Sequence, residues 1–187
     1  MERLSLGDLL GTPPETATAA DIDRFSPAGL RQLFHAATAP ELAEMKGEYP
    51  ARLVRTGLLY PLNFVYAHTL MGPGYWEAKA FWPETETRGW GYNRFRRRKK
   101  EGGVICRVMK MDTQVGPSRF DDKDSFHLVY AAHNRGRNHS MRDEIRRIHP
   151  TLYLGFGCLA WALDRRNPVP FLLHGEPASW VGPDNGR

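Results

Sequence analysis

The spacing of apolar residues changes near residue 75: before it they recur at helical intervals, and after it hydrophobic and polar positions alternate. In the first part, Ser26-Pro27 has the form of an N-cap followed by proline at the first helical position. Leu30, Leu33 and Phe34 then fall on one face. A second short helix is expected from about Pro40, carrying Leu42 and Met45 and stopping at Gly47. Together these predict a helical cap over residues 1–46.

From Tyr75 to Trp82 one face carries Trp76, Ala78, Ala80 and Trp82, and the other Tyr75, Glu77, Lys79 and Phe81. The first face is the better core candidate. Gly89 to Arg96 places Trp90, Tyr92 and Arg94 on one side, and Glu101-Gly102-Gly103 reads as a hairpin connection. Val104 to Asp112 forms the next strand, and Ser125 to Ala132 sets Phe126, Leu128 and Tyr130 opposite Ser125, His127 and Val129. Ser140 with Asp143 three residues on resembles a capping box, and Met141, Ile145 and Ile148 make a narrow apolar stripe, so a short helix is expected there. Leu152 to Trp161 and Val169 to His174 close the series, ahead of a Gly/Pro-rich stretch expected to be loose.

Six strands joined by short polar turns imply an antiparallel meander, and a meander of this size escapes exposed edges by curling into a barrel. The expected fold class is mainly β (α+β), with domains at 1–46 (helical cap), 47–175 (barrel) and 176–187 (flexible tail). The order of elements resembles the lipocalin-like, or calycin, barrels over residues 47–175. It shares an N-terminal helix, Gly47-Glu48-Tyr49, a second Gly74-Tyr75-Trp76, and the meander that follows. Those barrels usually carry Gly-x-Trp at the first strand, and this chain does not. Its expected short helix also falls before the last two strands. The resemblance implies a cavity for an apolar or amphipathic small molecule and carries over no individual residue.

Composition adjusts this picture in three places. The 41% hydrophobic and 11% aromatic content is ample for one core. The net charge of +5 is local, because removing the six positive charges of Arg94-Phe95-Arg96-Arg97-Arg98-Lys99-Lys100 would leave −1. Cys106 and Cys158 lie in apolar strand-like runs, as buried thiols of a reducing compartment do, and the N-terminus lacks the form of a secretory signal. A cytoplasmic location is expected. Leu53 to Met71 is the most lipid-like stretch, but Arg55, Gly57, Pro61, Asn63 and His68 break it too often for a transmembrane helix. It reads as core packing, a cover for the barrel mouth, or the interface of a homodimer.

The candidate chemistry follows from the expected inward faces. Trp76, Trp90 and Tyr92 would meet Phe126 across the barrel, an aromatic wall suited equally to a pocket and to a plain core. Arg107 shares an alternation face with Met109, and if that face is internal its guanidinium needs an anionic partner. If Val104, Cys106 and Val108 face inward instead, Arg107 lies outside. The segment from His133 to Arg147 brings histidines, arginines and the Asp143-Glu144 pair to one place. These residues define two readings of one cavity. One is a binding protein for a small amphipathic molecule. The other is a cofactor-independent cyclase, isomerase or decarboxylase, with Tyr130, His133, Asp143 or Arg146 moving protons or stabilising charge. Nucleophile-elbow, dinucleotide, Walker and zinc-protease motifs are absent from the sequence, so no metal or cofactor is expected. A third reading, nucleic-acid binding through Arg94 to Lys100 beside Trp90 and Tyr92, is disfavoured because the charge is confined to one hairpin.

Overall fold

The computed structural model describes residues 4–97, 103–160 and 164–184. Three short helices open the chain, each with a side-chain cap. Ser5 caps α1 (Leu6–Leu10), Thr18 caps α2 (Ala19–Ile22), and Ser26 ahead of Pro27 caps α3 (Pro27–Ala36). Beyond Pro40 the expected helix is reduced to a single 3-10 turn, Leu42–Glu44, because the chain must straighten into the first strand at Gly47.

Eight strands then form a closed antiparallel barrel in simple sequence order. They are β1 (Gly47–Leu53), β2 (Tyr75–Pro83), β3 (Gly89–Arg97), β4 (Val104–Pro117), β5 (Asp124–Val129), β6 (Met141–His149), β7 (Leu152–Leu159) and β8 (Val169–His174). Closure comes from β8 returning to β1, where Leu53 pairs with Phe171. No edge is left open.

Of residues 140–148, expected as a helix, Ser140 ends a 3-10 turn and Met141 onward is strand β6. The same spacing serves both structures, since Met141 and Ile145 are four apart and share a strand face as readily as a helix face. Ile145 pairs with Phe126 on β5 and with Gly155 on β7, so both edges of β6 are hydrogen-bonded. A helix this short is marginal by itself and does not compete with two ladders. Seven strands therefore follow residue 74, where the sequence suggested six. Trp161, the basic residues Arg98 to Lys100, and Glu101-Gly102 lie outside the described residues.

Two bulges decide which residues face inward. On β2 the register shifts between Trp76 and Ala78, so Trp76, Lys79 and Phe81 share the interior face. On β4 two residues oppose Tyr92 alone, and Met109 takes a left-handed φ of 59° to accommodate the extra one. Cys106 and Val108 consequently pack against the interior, and Arg107 points out. Trp90, Tyr92 and Arg94 also sit outside, because Asn93 and Phe95 are the inward residues of β3. The expected inward placement of Trp82, Trp90 and Tyr92 is thus reversed; of the two readings of β4, the one with Cys106 and Val108 inward and Arg107 outside holds, and Phe126, Leu128 and Tyr130 are internal as read.

Two cores result. One fills the barrel; the other lies between the helical cap and the outer face of β6, β7 and β8, joining Ile22, Leu30, Leu33 and Phe34 to Leu154, Phe156 and Leu172. Where a loose tail was expected, residues 176–184 run along the outer wall. Ala178 exchanges two backbone hydrogen bonds with Glu48, and Trp180 packs on Trp90 and Tyr92. Gly47, at φ 112°, admits this strap, since a Cβ there would stand 2.5 Å from the Ala178 carbonyl.

The lipid-like segment between β1 and β2 folds into α4 (Tyr60–Val65) and a π-helical turn, Tyr66–Leu70, beside the barrel interior. Ala67 and Met71 are buried against the interior core, while Leu58, Leu62, Val65 and Leu70 are exposed. Among the described residues no helix is long and apolar enough to cross a membrane.

Candidate functional site

Among the described residues, the barrel interior contains one cluster of charge. Because the β2 bulge turns Lys79 inward, its ammonium lies in a core otherwise built of aromatic and aliphatic side chains, with 2% of the side chain exposed. Three N–H groups need three acceptors there. They are Asp143 Oδ2 at 2.9 Å, the Tyr130 hydroxyl at 2.6 Å and Asn93 Oδ1 at 3.1 Å. The rings of Phe171, Trp76 and Tyr130 stand 5.1, 5.3 and 5.4 Å from the nitrogen, near enough for cation–π attraction.

The partners are tied to one another. Trp76 Nε1 donates to Asn93 Oδ1 at 3.1 Å, Asn93 Nδ2 donates to the Tyr130 oxygen at 3.2 Å, and the Tyr130 hydroxyl donates to Asp143 Oδ2 at 3.1 Å. Burial pulls the Lys79 pKa down, and the neighbouring Asp143 carboxylate partly restores it. Burial and the same carboxylate drive the Tyr130 phenol well above its ordinary range, so it remains a hydroxyl. Only Asp143 Oδ1 stands apart: it is buried, and no described residue donates a hydrogen bond to it.

Lys79, Asp143 and Trp76 of this cluster line a small, partly open cavity of about 40 Å³. Leu53, Met71, Met141, Leu159 and Phe171 make apolar walls, and Tyr66 and Ala67 of the π-helical turn line it too. Cys158 is among the residues around the cavity; burial pushes its thiol up to about 12, so at neutral pH it is protonated. Among the described residues no group of three or more histidine, cysteine or carboxylate side chains could hold a metal ion.

Of the residues singled out in the sequence, Tyr130, Asp143 and Trp76 meet in this cluster. Met109 and Phe126 belong to the interior core, Phe126 edge-on to Phe81 at 5.4 Å. The others are elsewhere. His133 pairs with Asp112 at 2.7 Å near the surface. Arg146 is fully buried outside the barrel wall, where it holds Asp121 and the Phe34 carbonyl and fixes the helical cap. Trp90 and Tyr92 lie beneath the C-terminal strap, and Arg107 pairs with Glu48 at 2.6 Å. Lys79 and Asn93, which complete the cluster, are missed by sequence reasoning because strict alternation assigns Lys79 to the outer face. The available signal was a lysine between alanines in the run Trp76 to Trp82.

No protein-family model matches the chain, and no curated protein sequence does. Among solved structures it is similar in fold to a protein from Thermomonospora curvata, with a TM-score of 0.55 over 84% of this chain and 92% of that one. At 15% identity the likeness concerns the fold alone. The barrel is compatible with small-molecule binding.

Proposed function

We propose that the protein binds a small amphipathic molecule inside a lipocalin-like barrel, its apolar part against Leu53, Met71, Met141, Leu159 and Phe171 and its polar part at Asp143. The observation that carries this reading is a charged, hydrogen-bonded cluster that borders an apolar cavity through Lys79, Asp143 and Trp76. A plain core would gain from replacing such a cluster by hydrocarbon, since desolvating an ion pair consumes most of its attraction. The free thiols of Cys106 and Cys158 support a reducing, cytoplasmic setting. Nucleic-acid binding loses support on the described part of the basic run, where Arg94 is engaged by Glu48 and Arg96 by Glu77.

The test is native mass spectrometry of the purified protein, followed by denaturation and identification of any released compound. A stoichiometric small molecule, absent after Leu159→Trp fills the cavity, is the expected result. A compound retained equally by that variant would place the ligand elsewhere. A second reading, proton transfer on a bound substrate, is favoured by Asp143 Oδ1, a buried carboxylate oxygen with no hydrogen-bond donor beside the cavity. If it holds, Asp143→Asn removes turnover of the released compound while leaving it bound.

A further inference from the structure

Building on that reading, we propose that the cavity selects a neutral hydrogen-bond donor, an alcohol or phenol on a compact apolar body, and rejects carboxylates. The argument is a count of valences. All three ammonium donors of Lys79 are used, by Asn93, Tyr130 and Asp143. The Tyr130 hydrogen goes to Asp143 Oδ2, the Trp76 indole N–H to Asn93, and the Asn93 amide to Tyr130 and the Met109 carbonyl. Within this cluster every described N–H and O–H is engaged, and none is left to receive an anion.

Within the cluster, among the described residues, one acceptor remains, Asp143 Oδ1; Asn63 and Tyr66 are the other polar residues lining the cavity. Asp143 lies over Gly157, its cross-strand partner, whose missing Cβ would stand 3.3 Å from Oδ1. Both residues line the cavity, and the glycine keeps open the space through which a ligand reaches Oδ1. A buried carboxylate oxygen without a donor is costly, so a ligand O–H arriving there gains more than an ordinary hydrogen bond. A carboxylate on the same body would place negative charge against negative charge in a dry site. Lysine in a cavity ordinarily suggests an anion site; here the internal partners have already consumed it.

The experiment compares three probes of one shape, toluene, p-cresol and p-toluate, by calorimetric titration of the intact protein. p-Cresol should bind at least about tenfold more tightly than toluene, the ratio expected for a hydrogen bond to a charged group, and p-toluate should not bind. Gly157→Ser puts a hydroxyl within reach of Oδ1 and should erase the cresol advantage. Asp143→Asn turns a donor toward the cavity and should reverse the order, favouring p-tolualdehyde over p-cresol. Binding of p-toluate as tight as p-cresol, or of toluene as tight as p-cresol, overturns the donor rule and leaves the binding reading intact. If none of the probes binds, the binding reading falls and the donor rule with it.

Discussion

The barrel wall separates two buried carboxylates, each 2% exposed and each facing basic side chains, with opposite outcomes. Glu48 points outward from β1. Its Oε1 receives the Tyr92 hydroxyl and Arg107 Nε, both at 2.6 Å, and Oε2 receives Arg94 at 2.7 Å. The strap then seals the group: Gly182 donates to the Tyr92 oxygen at 3.2 Å and Asp184 clamps the Arg107 backbone at 2.9 Å. Asp143 points inward from β6, has both its donors on one oxygen, and keeps the other bare beside a cavity. A carboxylate with donors on both oxygens is a structural fixture; one with an oxygen left bare next to open space is a site.

The largest expected effect breaks the inner cluster. Lys79→Met should cost about 3–5 kcal/mol in chemical denaturation, because it strands a buried carboxylate in the barrel interior. The double variant Lys79→Met/Asp143→Leu should recover most of that loss, since hydrocarbon of similar volume fills the interior without desolvating charge. The recovered protein should no longer distinguish p-cresol from toluene. A loss below about 1 kcal/mol for the single variant would mean that water reaches the pair and that the contrast between the two carboxylates is one of degree.

The outer cluster should behave as structure alone. Glu48→Ala is expected to cost about 2 kcal/mol, limited by the partial exposure of the two arginines it releases. Its affinity for p-cresol should equal that of the unaltered protein. An altered affinity would show that the wall transmits strain to the cavity, and the separation of roles would fail.

How far the sequence anticipates this division depends on what breaks alternation. The barrel is legible because β5 and β8 alternate or run apolar between clear turns, and because a meander of such strands has few ways to hide its edges. Tyr130 and Trp76 could be named for the same reason, and Asp143 from the polar segment His133 to Arg147, although that part of the segment reads as a helix. Lys79 could not, since one inserted residue at the β2 bulge exchanges the inner and outer faces and the lysine between two alanines is the sole hint of it; Asn93 could not, because Trp90 and Tyr92 mark the opposite face of β3 as the apolar one. Trp90 and Tyr92 misled through the strap: Trp180 covers that outer face, so both sides of β3 are apolar and the pattern no longer tells inside from outside. In β6 the polar outward residues Arg142, Glu144 and Arg146 imitate the solvent face of a helix, although Glu144 and Arg146 are buried against Arg119 and Asp121.

The smallest effect concerns pH and touches only the outer cluster. Burial alone would raise the Glu48 pKa, but hydrogen bonds from Arg107, Tyr92 and Arg94 outweigh it and hold the carboxyl below its ordinary range. A carboxyl lowered on folding contributes stability that is present above the unfolded value of about 4.3 and is lost as pH falls through the folded one. At the other extreme, burial and the Glu48 charge push Tyr92 up to about 12. An acid raised on folding stabilises below its unfolded value of about 10, and that contribution disappears as pH climbs toward 12. Glu48→Gln should therefore reduce the slope of the stability profile at both ends, removing the Glu48 share of the acid-side slope, to which Asp121 and Asp23 still contribute, and part of the alkaline one. Urea midpoints measured from pH 3 to 11 read this directly. Unchanged slopes at both ends would mean that the strap does not hold Tyr92 and the two arginines around Glu48 in solution, and that the outer carboxylate is no more sealed than the inner one.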